Sequence, residues 1–165
     1  MKVKTLKDLF IHSLSDVYSA EKQLVKALPK MASASTNENL RTIFEGHLEE
    51  TIGQVGRIDQ LVEACGIKLL RIKCAAMEGL VEEAQELVGE VDKGAVLDAG
   101  LIGAAQKVEH YEIATYGTLA ALAKKLGEKT AMKLLLETLE EEKNADRKLT
   151  ALADEEVTEE AAAAK

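Results

Sequence analysis

Apolar residues in this chain return at alternating spacings of three and four, and they keep that rhythm along four long stretches. Phe10, Leu14, Val17, Leu24 and Leu28 form the first series, and Leu40, Ile43, Ile58 and Leu61 the second. The third passes through Ile102, Ala105, Tyr116 and Leu119, the fourth through Met132, Leu135, Leu139 and Leu149. A helix repeating every ~3.6 residues puts each series on one face, whereas a strand needs strict alternation. There is a single proline in 165 residues, so little interrupts such helices. No alternating β-branched run bounded by turn dipeptides is present. The expected fold class is all-α.

Breakers and caps set the boundaries. The first helix is expected to start after Thr5, with Asp8 in its first turn, and to kink or end at Pro29. Ser35 and Glu38 have capping-box spacing for the second helix, and Gly66 suits its C-terminus. Residues 67–94 are too many for a tight turn and include an amphipathic piece at about 75–88, with Leu80, Val81, Ala84 and Leu87. The third long helix is expected at about 95–126, closed by Gly127, and the fourth at about 128–153. Residues 1–153 suit one domain, and 154–165, lacking a periodic apolar face, are expected to form a disordered tail. Two antiparallel helical hairpins joined by a long crossover with its own short helix make a ferritin-like four-helix bundle.

Charge narrows the function classes. The formal charge is −8, with acids and bases interspersed, so there is no basic footprint for nucleic acid. No stretch reaches the ~18 apolar residues of a membrane span, and no secretion signal is evident. The cytoplasm is the expected compartment. Cys65 and Cys74 lack framework spacing and are expected to pack as reduced thiols.

The apolar stripes are broken near their middles by Glu21, by His47 and Glu50, by Glu109 and Glu112, and by Glu142. A buried carboxylate costs several kcal/mol unless compensated. Almost no basic residue shares these stripes, so the natural compensator is a metal cation. Glu21 and Glu50 lie about equally far from the turn near Ser35, and Glu112 and Glu142 straddle Gly127. Antiparallel pairing brings all of them into one layer, ~21 Å from the turn at ~1.5 Å per residue. The segments His47–Thr51 and Thr138–Glu142 are faintly alike, matching Glu50 to Glu142 with a one-residue slip. From that symmetry Glu50 and Glu142 are the expected bridging pair. Rotation of the fourth helix by ~100° would exchange Glu142 for Glu141.

Oxygen-rich ligands with one imidazole suit iron or manganese, and bridging carboxylates hold two such ions about 3.5–4 Å apart. Bundle sites of this kind use Glu-x-x-His on two helices. Here the second helix has the reverse order, His47 then Glu50, and the fourth has no histidine. Asp146 and Gln54 lie one turn beyond the ligands and suit supporting hydrogen bonds. Tyr18 and Tyr111 are expected as packed phenols bonded to carboxylates, and His110 and His12 as non-ligands.

The segments LSDVYSAEKQLVKALPKM, HLEETIGQVGRID, AAQKVEHYEIATYGTLAALA and ETLEEEKNADRKLTALA, in that order, resemble the YciE/YciF family of ferritin-like proteins. The resemblance covers nearly the whole chain up to about residue 153. It implies a ferritin-like bundle with a di-metal carboxylate site, association with bacterial stress responses, and a homodimer. Carried over by motif, the implied metal ligands are Glu21, His47, Glu50, Glu109, Glu112 and Glu142, holding two iron or manganese ions. A redox-active pair would imply dioxygen or peroxide chemistry. The other function class consistent with the sequence is a non-enzymatic, stress-associated interaction protein with a vestigial or structural site.

Overall fold

The computed structural model describes residues 2–164. Its helices are α1 (Leu6–Ala34), α2 (Glu38–Cys65), α3 (Ala75–Glu90), α4 (Ala95–Leu126), α5 (Lys129–Leu152) and α6 (Thr158–Ala163). A π-helical turn, Ala153–Val157, joins α5 to α6. There is no strand among the described residues.

Thr5 and Asp8 close a reciprocal capping box on α1. Of the two outcomes expected at Pro29, an end is not what occurs: α1 continues past it to Ala34. A proline inside a helix costs about 3 kcal/mol. Here it lies on the exposed face, while Leu28, Met31, Ala32 and Ala34 around it are buried and hold the last turn in place. Ser35 likewise departs from its expected role. Its hydroxyl donates back to the Met31 carbonyl at 2.9 Å, and Asn37 caps α2 by accepting from the Leu40 amide at 3.0 Å. Gly66 (φ 59°) and Gly127 (φ 76°) end α2 and α4 in the left-handed region that glycine enters without strain.

The hairpin partners are α1 with α2 and α4 with α5, while α2 also packs on α5 and α1 on α4. The bundle therefore runs around in the order α1, α2, α5, α4, which makes α2 and α4 diagonal neighbours. That diagonal explains the length of the crossover. Its extended part is latched along α1: Leu70 N donates to Ser15 Oγ at 2.9 Å, Cys74 N to Ser19 Oγ at 3.0 Å, and Gln23 Nε2 to the Cys74 carbonyl at 3.0 Å. Ser15, Ser19 and Gln23 are spaced by four and form one polar row on the helix. The short helix α3 continues upward against α1 and α4, burying only Met77 and Ala84.

Asp98, buried in the first turn of α4, receives the amides of Thr36 and Asn37, each at 2.9 Å, and the Thr36 hydroxyl at 2.5 Å. It fixes the α1–α2 turn to the second hairpin. Asp98→Ala should cost about 3 kcal/mol, because it strands two amides that had a charged partner. Urea unfolding would show this as a lower midpoint at unchanged slope.

Residues 154–164 differ from the disordered tail expected at 154–165, of which Lys165 lies outside the described residues. The π-helical turn and α6 pack on α4, Val157 is fully buried, and Glu156 accepts from Asn37 Nδ2 (2.7 Å) and Asn39 Nδ2 (2.9 Å). Its apolar contribution, chiefly Ala153 and Val157, is too short for periodicity to reveal.

Two apolar layers fill the bundle. One contains Leu24, Leu28, Phe44, Leu101 and Leu149, the other Phe10, Leu14, Ile58, Tyr116 and Leu135. Between them lies a polar layer.

Candidate metal centre

The polar layer is built from the middles of all four long helices. α1 supplies Glu21, α2 His47, α4 Glu109 and Glu112, and α5 Glu142. All five are buried, with Glu21, Glu112 and Glu142 at 0% exposure. Each occupies a stripe position that leucine or alanine fills one or two turns away, so the core packing on either side fixes where it points. One ligand atom from each of His47, Glu109, Glu112 and Glu142 lies within 4.8 Å of the others. His47 Nε2 is 3.2 Å from Glu109 Oε1 and 3.9 Å from Glu142 Oε2. Glu21 adjoins this group and accepts a hydrogen bond from the Tyr116 hydroxyl through Oε1.

The electrostatics are those of negative charge kept out of water. Burial, then the Glu142 carboxylate, pushes the Glu21 carboxyl up to about 8. Glu109 and Glu112 are raised well above the usual carboxylate range by burial and by acidic neighbours that include Glu142. Burial, followed by Glu21 and Glu112, raises the Tyr116 phenol as well. Several donor atoms have no aligned hydrogen-bond partner: both His47 ring nitrogens, both Glu112 oxygens, and one oxygen each of Glu21, Glu109 and Glu142. Such orphaned atoms are costly in a core. Convergent lone pairs without a buried cation are what a bound metal ion satisfies.

Glu50 sits apart from the buried group. Its side chain is 33% exposed, with Oε2 3.5 Å from His47 Nδ1 and Oε1 3.8 Å from Lys148 Nζ. The imidazole beside it holds its carboxyl below the ordinary range. Glu142 faces the layer, whereas Glu141 turns outward to a bidentate pair with Arg57 at 2.7 and 2.8 Å. Gln54 spans the two, donating to Glu142 Oε1 and, at 3.0 Å, to Glu141 Oε2. Arg57 Nη1 also donates to Thr138 Oγ1 at 2.7 Å. A chain of hydrogen bonds thus leads from the layer to the half-buried α2–α5 surface.

Tyr111 donates to Asp16 Oδ2 at 2.8 Å and touches Cys74 Sγ at 3.0 Å, a packed phenol on a carboxylate. Asp146 lies 3.4 Å from the largely exposed His110 and accepts from Gln106 at 3.3 Å, and its charge is among those that raise Glu109. His12 is exposed. Two participants escaped the sequence reading. Tyr116 reads in the sequence as one more apolar stripe residue although it stands four after Glu112, and Arg57 gives no stripe signal although it stands three after Gln54.

Residues 5–162 match the family described as a domain of unknown function, DUF892. Protein YciF of Escherichia coli strain K12 is 62% identical over 154 residues, covering 93% of each chain. The crystal structure of the Escherichia coli stress protein YciF superposes with a TM-score of 0.92 at 60% identity, over 94% of this chain and 99% of that one. YcfI of Rhodopseudomonas palustris, provisionally described as a structural protein, gives 0.87 at 46% identity, over 90% and 95%. With that much sequence shared over nearly its whole length, and with an all-α ferritin-like bundle in common, this chain belongs to the DUF892 family as a YciF-type protein.

Proposed function

We propose that the polar layer binds a pair of iron or manganese ions and that the protein serves the bacterial stress response through them. The observation that carries this reading is the set of orphaned donor atoms on Glu21, His47, Glu109, Glu112 and Glu142, fully enclosed by apolar layers. Hard carboxylate oxygens with one imidazole nitrogen match the preference of these metals. Glu109, Glu112, Glu142 and His47 would be direct ligands, with Glu21 beside them. Glu50 would act at the rim, orienting the His47 ring or joining as an outer ligand. Gln54 holds the Glu142 carboxylate, and the Arg57–Glu141 pair holds Gln54. When bound, such a pair supplies one-electron chemistry toward dioxygen or peroxide. The protein's own part is to keep water out, to keep the carboxylates converged, and to retain protons on Glu21, Glu109 and Glu112 until metal displaces them.

Elemental analysis of protein prepared without chelator tests this directly. Near-stoichiometric iron or manganese is expected, lost on Glu142→Ala. Glu50→Ala, acting from the rim, should weaken binding by about 10–100-fold and leave it measurable. Wild-type protein that takes up neither metal at micromolar concentration would refute the reading. The single imidazole, and the structural role provisionally given to YcfI, favour a second reading: a helical association protein whose site is vestigial. Metal bound with no consumption of dioxygen or peroxide points to that alternative.

A further inference from the structure

We infer that the space between α1, α3 and α4 is a dry chamber that takes up dioxygen and leads it to the polar layer. The destination rests on the metal-binding reading; the chamber does not. It is a cavity of about 110 Å³ whose inner wall is made small by Ala27, Ala84 and Ala104, one alanine from each helix. Its mouth is flanked by the exposed residues Lys30, Gln85 and Val88. Three of its wall residues, Leu24, Met31 and Val108, also line a second, narrow void of about 10 Å³ that His47 and Glu109 line as well. The surface opening and the candidate ligands are therefore separated by one layer of aliphatic side chains. One of these is Met31, whose unbranched chain moves aside readily.

The lining chooses the occupant. No polar side chain faces the chamber beyond Lys30 and Gln85 at its mouth. A buried water needs ~2–4 polar partners, and apolar cavities of ~150 Å³ stay dry yet take up xenon or benzene. Hydrogen peroxide has the same hydrogen-bonding needs as water, and superoxide would bring negative charge toward the glutamates. Dioxygen is small, neutral and apolar. It matches the volume, the lining and the destination.

Dissolved dioxygen is paramagnetic and shortens the relaxation of nearby protons, so the chamber can be probed in protein kept free of paramagnetic metal. Methyl groups of Leu24, Ala104 and Val108 should relax several-fold faster under oxygen than those of Leu61 and Leu119, which are equally buried in the other apolar layer. Ala104→Phe and Ala84→Leu, which fill the chamber from different helices, should each abolish the excess. Val108→Phe should leave it at Leu80 and remove it from the His47 ring protons. Equal enhancement in both apolar layers, or none at His47 in the wild type, would overturn the inference. Failure of the metal reading shows itself separately, as absence of bound metal, which none of these relaxation measurements senses.

Discussion

Metal-free protein carrying Glu112→Leu is expected to melt above the metal-free wild type and to gain nothing from added iron(II) or manganese(II). Glu112 is fully buried, neither carboxyl oxygen has a partner, and its neighbours are acidic. Replacing such a group by an apolar side chain of similar size stabilises by roughly 1–4 kcal/mol. In a domain of this length each kcal/mol moves the midpoint by about 2–4 °C, so a rise of about 2–16 °C is expected. The wild type should respond to metal in the opposite way. At about a thousand times Kd a ligand adds ~4 kcal/mol, near 10 °C here. Differential scanning calorimetry on both proteins, with chelator and with metal, gives the four midpoints. A variant that melted well below the wild type while remaining helical would show that Glu112 is not strained, and one that kept the full response to metal would show that it is not a ligand.

The second large effect is on pH. In the unfolded chain a glutamate ionises near 4.5, whereas folded Glu21 holds its proton up to about 8, and Glu109 and Glu112 are raised in the same direction. Between those values the folded metal-free protein binds more protons than the unfolded chain. Its stability must then fall as pH rises through that window, and these three carboxyls contribute no further pH dependence below about 4.5, where they are protonated in both states. The loss is on the order of a few kcal/mol across the window. Loaded protein should behave oppositely, since metal competes with these same protons and binds better as pH rises. Urea midpoints from pH 5 to 8, with and without metal, should therefore diverge. Glu21→Gln should flatten the metal-free slope, and a metal-free midpoint that climbs with pH would contradict the account.

Much of this architecture could be read from the chain because its determinants are local and repeated. The stripes Phe10–Leu14–Val17 and Leu24–Leu28 name the buried face of α1, and the glycines at 66 and 127 mark ends that the backbone requires. The polar layer was legible for the same reason, since acids stood on apolar faces at matching heights. What escaped was set by contacts between distant segments. Asn37, rather than Ser35, caps α2, in a turn held by Asp98 from the other hairpin. Pro29 is tolerated because core contacts on both sides outweigh its missing hydrogen bond. Residues after Leu152 are held by Asn37, Asn39 and α4, partners that no periodicity announces. Within the layer, the choice between Glu141 and Glu142 turned on Arg57, which draws the first outward.

The row formed by Ser15, Ser19 and Gln23 makes the crossover a strap over α1, and Cys74 lies beneath its end with no surface exposed. Modification of that thiol must wait for the strap to lift. The speed at which a thiol reagent captures Cys74, compared with the partly exposed Cys65, is thus a stopwatch for how often the two hairpins come untied.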